Sequence, residues 1–550
     1  MSDKRKRRSR VACEPCRTRK RKCDGHHPCD TCSEFDYHCI YDLEARKKRN
    51  KSSSSHPLAV RTPQSQPEES TSKPAAPEHI DEPTPVQQSI GSNSGAVFVR
   101  SLGIKIDSDN ASDPQIFAWN IGARQLPGDY GPLPLMDIIS LEEMTTLAHI
   151  YFNKAAPYYG YIDRESCFKS IQSRWNRSSS FEPYDIVLCG VAAMGYLFSS
   201  RKAVSAELHL VESAKSALER CQNNELPPLI LLTGWALRMG YLRLTASPHT
   251  AWLASCTLMH LVDATGLHLD PSSRRAVLRP SHTIDEDIRR RLVSFARYIN
   301  TWVSFDLARS RVILHGTSYA TPSSPEGDFT AEMLDLLPLS ESLDVYKRVD
   351  AAQLTTMLVD IMESDRTQAP SVLSQCNIVL LIFRRLCAIH TTLSPVLMGQ
   401  MLALITKTLA CARELVDTNC PWAHVATVPF QIICTLLAVD SPDSLCLLDD
   451  AVQTLKYVTD TYDTDVLREA YHTAGSLILL QQRRKDQDAN RLNSILGAHF
   501  PAEDIEPTHQ NTQDTEAFTN LVADLPGWEN FDFAQFFIAD NPWDALAADF

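Results

Sequence analysis

Six cysteines near the N-terminus recur at a spacing that suits zinc. They form two halves of one pattern, Cys-x2-Cys-x6-Cys, whose members are Cys13, Cys16, Cys23, Cys29, Cys32 and Cys39. A structural zinc ion takes four ligands in a tetrahedron and accepts thiolates at all four positions. Two zinc ions need eight ligand positions, which six thiolates supply only if two of them bridge both metals. Because so short a segment has no hydrophobic core, we expect zinc binding to supply its folding free energy.

Three other interpretations of these cysteines explain the pattern less well. A disulfide framework needs an oxidising compartment, whereas no apolar signal sequence follows the basic N-terminus and the chain is expected to be intracellular. A single zinc site with spare cysteines leaves the repeat unexplained. A cross-brace ubiquitin-ligase finger could recruit His26 and His27, but such fingers have longer intervals between ligand pairs. We interpret the two histidines as solvated loop residues.

A dense run of cations fills the interval between the second and third cysteines. Five of its six residues are basic: Arg17, Arg19, Lys20, Arg21 and Lys22. The matching interval of the second half, residues 33–38, is acidic and aromatic. Cations that neutralise phosphates give DNA affinity, and one or two aimed at guanine O6 and N7 can read sequence. A merely solvated charged face is the alternative, but this run is fixed between two metal ligands.

The charge of the chain is divided between its ends. The 550 residues carry a net charge of −13. Residues 1–51 contain 16 Lys and Arg against 8 Asp and Glu, a balance of +8, whereas residues 501–550 contain 11 Asp and Glu and no Lys or Arg, a balance of −11. A basic head and an acidic tail indicate two kinds of partner, an anionic polymer and a protein surface.

A separate basic cluster precedes the cysteines. Residues 1–12 contain five consecutive cations, Lys4, Arg5, Lys6, Arg7 and Arg8. Such a run is typical of a nuclear import signal, so we expect the chain to act in the nucleus. An additional arm that contacts DNA phosphates is an alternative that is compatible with import.

Residues 13–39 resemble the DNA-binding domain of the fungal Zn2Cys6 binuclear zinc cluster transcription factors, of the galactose-regulator type. The resemblance rests on the Cys-Arg-x-Arg-Lys-x-Lys-Cys core at residues 16–23, on Cys23-Asp24-Gly25 and on Pro28-Cys29. It implies a transcription factor that depends on RNA polymerase II, binds double-stranded DNA at CGG triplets and regulates a metabolic pathway, either catabolic or a secondary-metabolite gene cluster.

The resemblance also implies a role for each residue of the cluster. Two Zn2+ ions would share two bridging thiolates, and the implied ligand sets are Cys13 and Cys29 as bridges, Cys16 and Cys23 on one zinc, and Cys32 and Cys39 on the other. The family's base-reading pair falls on Arg19 and Lys20. Arg17 and Lys22 complete the set that we expect to contact DNA.

The rest of the chain is predicted to be mainly α-helical. Residues 40–95 form a disordered linker, because their stretch from 51 to 95 has ten Ser, seven Pro and no aromatic residue. Residues 96–490 show apolar residues at helical intervals and few strand signals, which indicates a large all-α regulatory domain. Thr283 and Glu286 predict a capping box at the start of the clearest helix. Its apolar face comprises Ile284, Ile288, Leu292, Phe295, Ile299 and Trp302.

The middle of the chain carries a second, weaker resemblance to the regulatory domain of the same family. It lies in the run Ala264-Thr265-Gly266-Leu267-His268 and in Arg289-Arg290-Arg291-Leu292 with Arg309. Several positions depart from the family pattern: Val293, Ser294, Asn300, Ala308 and Ser310. From their apolar surroundings we expect His268 and Trp302 to be packing residues rather than ligand-binding residues.

Residues 491–550 are predicted to form an acidic activation tail. Aromatic residues are spaced among its carboxylates: Trp528, Phe531, Phe533, Phe536, Phe537, Trp543 and Phe550. Acidic disordered segments of this kind dock into coactivator grooves by coupled folding, which favours an activator. One alternative is that Phe531–Phe537 folds back on the helical domain. Another is that the chain is a repressor or a DNA-tethered scaffold.

Further function classes are disfavoured by what the sequence lacks. It has no phosphate-cradling glycine loop, no His-Glu-x-x-His pair and no nucleophile elbow, so we expect no enzyme. The longest apolar run, Ile186 to Phe198, is too short to span a membrane. No heptad register follows the cysteines before residue 95, so a homodimer would form through the helical domain.

Overall fold

The computed structural model describes residues 12–13, 15–16, 21–24, 26–35, 39, 94–106, 119–177, 179–220, 226–269, 285–316, 322–323, 325–343 and 349–499. The chain divides into two compact units, residues 1–86 and 87–550. The described part of the first unit contains one helix with defined bounds, α1 (Asp30–Glu34), and a core made of the six cysteines. The linker and activation tail predicted from the sequence lie almost wholly outside the described residues.

Helices are the regular elements of the second unit, and its described residues contain no β-strand. This confirms the predicted mainly-α fold. In chain order the helices are α2 (Gly95–Ile106), α3 (Leu135–Ile138), α4 (Leu141–Lys154), α5 (Ala156–Tyr159), α6 (Arg164–Trp175), α7 (Asp185–Leu197), α8 (Ser205–Arg220), α9 (Pro228–Thr245), α10 (Pro248–Thr265), α11 (Glu286–Asp306), α12 (Thr330–Leu334), α13 (Leu337–Ser342), α14 (Ala351–Glu363), α15 (Ala369–Ala388), α16 (Pro395–Asp417), α17 (Ala423–Val439), α18 (Pro442–Tyr462) and α19 (Asp465–His499).

Ser-Pro dipeptides set the starts of three long helices. Ser247, Ser394 and Ser441 are the N-cap residues of α10, α16 and α18, and each serine oxygen accepts a backbone N–H from the first turn. The following proline occupies the first helical position, where its missing N–H costs no hydrogen bond. The local sequence therefore accounts for these helix starts.

The start of α11 differs from the capping box predicted at Thr283. The N-cap is Asp285, whose carboxylate accepts the backbone N–H groups of Asp287 and Ile288. Glu286 is therefore the first helical residue rather than the third, and Thr283 lies outside the described residues. Four residues of the predicted apolar face are buried, namely Leu292, Phe295, Ile299 and Trp302, whereas Ile288 is half-buried and Ile284 lies outside the described residues.

One continuous core runs through the helical unit. Neighbours in sequence pack as pairs: α7 with α8, α10 with α11, α15 with α16 and α17 with α18. Longer-range contacts of α4 with α7 and of α17 with α19 join these pairs. The run from Ile186 to Phe198 forms α7 and its C-cap and is almost wholly buried, so its apolar character serves the core.

Two helices are long and apolar enough to cross a membrane by length and composition alone. They are α15 and α16, and 78% of the apolar window of α15 is buried within the protein. In α16 one face, with Met401, Ile405 and Leu409, is buried while the opposite face is exposed. Both helices thus pack into the core, one as a central helix and the other as an amphipathic outer helix.

The last helix extends beyond the point at which the sequence suggested the acidic tail. Helix α19 is 35 residues long and continues through Arg491 to His499. Its first half packs against α17 and α18, whereas every residue from 482 to 499 is exposed.

Candidate metal and DNA-binding site

The six cysteines converge into one small core. Their side chains are between 0% and 8% exposed, although the segment has almost no other apolar residue to bury. The sulfur atoms of Cys13, Cys16, Cys29 and Cys32 lie within 4.8 Å of one another. A tetrahedral zinc site with Zn–S bonds of about 2.3 Å has S···S edges of about 3.8 Å. The observed separations match this edge: Cys13–Cys32 is 3.5 Å, Cys16–Cys29 is 3.6 Å and Cys13–Cys23 is 3.9 Å.

Cys13 and Cys29 occupy the centre of the sulfur cluster. Their own sulfur atoms are 3.7 Å apart. Cys13 also contacts Cys23 of the first half and Cys32 of the second, while Cys29 contacts Cys16 of the first half. A bridging thiolate must share edges with ligands of both metals. Cys13 has sulfur neighbours in both halves, and Cys29 lies beside Cys13 and Cys16 of the first half and within 4.8 Å of Cys32 of the second. The donor set fits two zinc ions, which would hold the buried thiolates together.

Electrostatics at the cluster favour a bound cation. Burial raises the pKa of Cys13 and Cys16, and it raises the pKa of Cys32 to about 12. Burial also opposes ionisation of Cys29, but the Cys32 N–H and the neighbouring thiols donate to its sulfur and lower its pKa to about 6. Six thiolates packed together would repel one another strongly. A divalent metal supplies the positive charge that keeps such thiols deprotonated.

Short polar contacts shape the loop between the two halves. The carboxylate of Asp24 accepts the backbone N–H of His26 at 3.1 Å and that of Asp30 at 3.0 Å. These hydrogen bonds lower the pKa of Asp24, the Asp30 N–H being the main cause. The hydroxyl of Thr31 donates to the Lys22 carbonyl at 2.8 Å and ties α1 to the basic run. His26 and His27 are exposed, as expected for loop residues.

The basic run ends on an exposed surface. The side chains of Arg21 and Lys22 are exposed, and the guanidinium of Arg21 lies 4.3 Å from the ring centre of Phe35. A cation–π contact of this kind orients the arginine across the two halves. Of the four residues expected to contact DNA, Lys22 is described, whereas Arg17, Arg19 and Lys20 lie outside the described residues. The import cluster Lys4–Arg8 and the tail aromatics lie outside them as well.

Sequence reasoning missed the orienting roles of Asp24, Thr31 and Phe35. Asp24 had a signal, because an Asp-Gly pair after a metal ligand is typical of a side chain that caps a turn. Thr31 and Phe35 had none, since each acts on a residue that is nine or more positions away. Their contacts became visible only with the folded backbone.

The two motifs of the helical unit contact each other. The guanidinium of Arg289 donates to the backbone carbonyls of Leu267 and Leu269, at the turn that follows Gly266. Gly266 ends α10 with a φ of +63°, a conformation that glycine adopts without strain. His268 is 4% exposed and Trp302 is 1% exposed, which agrees with the expected packing roles. The motif pair is therefore a structural tie between α10 and α11.

The cysteines of the helical unit form no comparable cluster among the described residues. Five are buried singly, namely Cys167, Cys189, Cys376, Cys420 and Cys434, which fits small apolar core residues. Cys446 differs from these five, because it is exposed on α18.

Comparison with known proteins gives the same division of the chain. Residues 11–48 match the fungal Zn(2)-Cys(6) binuclear cluster domain, and residues 148–407 match the fungal specific transcription factor domain. Protein RDR1 of Gibberella zeae is 39% identical, over 96% of this chain and 98% of its own. Transcription factor kojR of Aspergillus oryzae is 34% identical, over 96% of this chain and 93% of its own.

A more distant relative covers about half of the chain. The probable transcriptional repressor C1348.12 of Schizosaccharomyces pombe is 25% identical, over 48% of this chain and 61% of its own. With both domains present and close similarity along the whole length, the chain belongs to the fungal Zn2Cys6 transcription factors, which bind two zinc ions and regulate transcription by sequence-specific DNA binding rather than acting as enzymes.

Proposed function

We propose that the chain is a nuclear activator that reads CGG-type triplets through Arg19 and Lys20 and controls a metabolic pathway. The observation that supports this most directly is the position of the basic run. It joins Cys16 to Cys23, whose sulfur atoms belong to one compact cluster. A cation held between two fixed metal ligands loses little conformational entropy on binding DNA, which favours specific contacts over a diffuse ionic attraction.

We propose that two of the six thiolates bridge the two zinc ions and that the other four each bind one zinc. Cys13 and Cys29 would bridge, with Cys16 and Cys23 on one zinc and Cys32 and Cys39 on the other. The support is the central position of the two bridging sulfurs, with neighbours in both halves.

Base reading is tested by a matched pair of substitutions in the full-length protein. Lys20→Ala should remove about 1–3 kcal/mol of discrimination between a CGG duplex and a scrambled duplex. Lys48→Ala, outside the cluster, should weaken both duplexes alike through a lost phosphate contact. Fluorescence anisotropy on the two duplexes separates these effects. Equal losses for Lys20→Ala on both would refute its assignment as a base reader.

The composition of the C-terminal tail supports activation of transcription rather than repression. Residues 501–550 combine 11 carboxylates with spaced aromatics and no Lys or Arg, a composition that suits docking to a coactivator and not to DNA. Deleting them should leave DNA affinity nearly unchanged and abolish reporter activation. Fusing them to an unrelated DNA-binding domain should activate the reporter. A silent fusion would favour the second candidate, a repressor, which is the role given in the name of the fission-yeast relative.

Localisation and stoichiometry complete the proposal. Lys4, Arg5, Lys6, Arg7 and Arg8 would direct nuclear import, and replacing them by Ala should leave a fluorescent fusion in the cytoplasm. We further propose that residues 1–95 bind one triplet as a monomer and that any homodimer forms through the helical unit. Cooperative binding of residues 1–95 to a two-site duplex at one fixed spacing would contradict this.

A further inference from the structure

The C-terminal half of α19 leaves the helical core. At about 1.5 Å per residue, its 35 residues span about 52 Å. The buried residues of the helix end at Leu480 and Gln481. Beyond them every side chain up to His499 is exposed, so about five turns are in contact with solvent. A helix segment of this length is marginal in isolation, which makes a partner surface favourable.

One face of this segment is apolar and basic. Leu492, Ile495 and Leu496 are 62%, 54% and 52% exposed. Their spacing of three and four residues places them together on one face. Arg484 and Arg491, seven residues apart, lie along the edge that Ile495 occupies. Asp488 lies between them and pairs with Arg491 at 3.5 Å, so Arg484 is the cation of this face without that neighbouring carboxylate. We name the three apolar residues and the two arginines the α19 face.

The exposure of the α19 face differs from that of ordinary surface leucines. Single exposed apolar residues are common and need no explanation, whereas a group of three at helical spacing marks an interaction site. The flanking arginines indicate the chemistry of the partner, which must combine apolar side chains with negative charge.

We propose that residues 501–550 of the same chain dock on the α19 face and are thereby withheld from coactivators. The chain after His499 begins where the α19 face ends, so the tail is always present at high local concentration. Its balance of −11 complements segment 482–499, which has four Lys and Arg against two Asp and Glu, a balance of +2. Aromatic residues such as Phe536 and Phe537 supply the apolar contacts. The withholding step rests on the proposed activation function, whereas the docking contact does not.

A second copy of the chain fits the α19 face less well. Two such segments would each bring a balance of +2 into one interface, and like charges oppose their association. The acidic tail faces no such repulsion.

Photo-crosslinking in the full-length protein identifies the occupant. We would place p-benzoylphenylalanine at position 496 and map the crosslinked peptides by mass spectrometry, using a mixture of isotopically heavy and light chains. The expected product is a light–light or heavy–heavy crosslink to a peptide that contains Phe536 or Phe537. A crosslink confined to the residues next to His499 counts as no crosslink, because these residues lie beside the probe in the chain. A heavy–light crosslink would show a second copy, a crosslink to residues 1–95 would show the basic head, and no crosslink would show an empty face. Each of these three results would overturn the proposal.

Two matched controls lie on the same helix. Arg484→Glu should lower the crosslink yield about fivefold, the effect of a surface charge pair of ordinary strength. Arg483→Glu makes the same charge change on the opposite side of the helix and should leave the yield unchanged. Leu479, which is 46% exposed and off the α19 face, provides the second control: p-benzoylphenylalanine at this position should not capture the tail.

A reporter assay separates docking from activation. The triple variant L492Q/I495Q/L496Q keeps helix-forming residues at exposed positions, so it should fold and should raise reporter activity several-fold by releasing the tail. Its crosslinking from position 499 to peptides that contain Phe536 or Phe537 should be lost. If crosslinking is lost without a rise in activity, the docking contact stands and the withholding step is wrong. If the tail fused to another DNA-binding domain is silent, the activation function fails while the crosslink still reports docking.

Discussion

A bridged zinc cluster predicts that replacing Cys29 lowers the affinity for zinc more than replacing Cys32 does. Cys29 would bind both zinc ions, whereas Cys32, three residues later on α1, would bind one. Both are buried to the same degree, 0% and 1% exposed, so Cys29→Ser and Cys32→Ser make the same steric change in the same module. The difference between them reports the number of Zn–S bonds.

The magnitude follows from the binding free energy of a structural zinc. That free energy is on the order of 10–16 kcal/mol for four ligands, or about 2.5–4 kcal/mol per Zn–S bond. Cys32→Ser should therefore weaken one zinc by roughly 100- to 1000-fold and leave the other with four thiolates. Cys29→Ser should weaken both by that factor, at about twice the total cost.

Zinc analysis after competition with a chelator distinguishes the two variants in the full-length protein. We expect two zinc ions in the unchanged chain, about one in Cys32→Ser and nearly none in Cys29→Ser. Cys446→Ser, which removes an exposed thiol of the helical unit, is the control and should keep two. Equal loss in Cys29→Ser and Cys32→Ser would refute the bridging assignment. So would one zinc remaining in Cys29→Ser.

Three further predictions concern the helical unit and DNA affinity. Burial and the nearby Arg243 charge lower the pKa of His424 to about 3, whereas an unfolded histidine titrates near 6.5. Below about pH 6.5 the unfolded state therefore binds more protons than the folded state, and the free energy of unfolding falls as the pH drops. The loss should reach about 2 kcal/mol at pH 5 and disappear in His424→Gln, as measured by urea unfolding at pH 7 and pH 5. Arg289→Leu should destabilise the helical unit by about 2–4 kcal/mol, because it leaves the Leu267 and Leu269 carbonyls without their donor. The control Arg290→Leu changes a more exposed neighbour and should cost less than about 1 kcal/mol in the same urea titration. Lys22→Ala should reduce the slope of log affinity against log salt by about 1 in DNA titrations, and an unchanged slope would show that Lys22 contacts no phosphate.

Local sequence signals predicted the features that a few neighbouring residues determine. The cluster formed by the six cysteines is one such feature, and the buried apolar face of α11 is another. The start of α11 shows the limit of such signals, since Thr283 and Asp285 are both good N-cap residues only two positions apart. Asp285 caps the helix by accepting two backbone N–H groups. Asp ranks above Thr as an N-cap residue, but Glu286 completes a capping box only with Thr283, so the two local signals disagree.

Contacts between distant segments were beyond prediction. Arg243 of α9 and Asp306 of α11 form a buried ion pair at 2.7 Å, and Asn377 of α15 donates to the same carboxylate at 3.0 Å. In the sequence, each of these residues is simply a polar residue within an apolar helix. Burial of the pair is favourable only because three helices bring the partners together, and no pattern within one helix contains that information.

The two arginine-rich runs of the chain show how tertiary structure decides the use of a charge. Residues 289–291 are as basic as the run at 17–22, but Arg289 is bound by carbonyls and Glu286, and Arg291 by Asp287 and Asp328. Both guanidiniums are buried and have no capacity left for phosphate. Around Lys22 the opposite holds: the metal cluster is the core, so the side chains of Arg21 and Lys22 remain on the surface. Among the described residues of this module no carboxylate is buried with the cysteine sulfurs, so the charges of Arg21 and Lys22 are available to DNA.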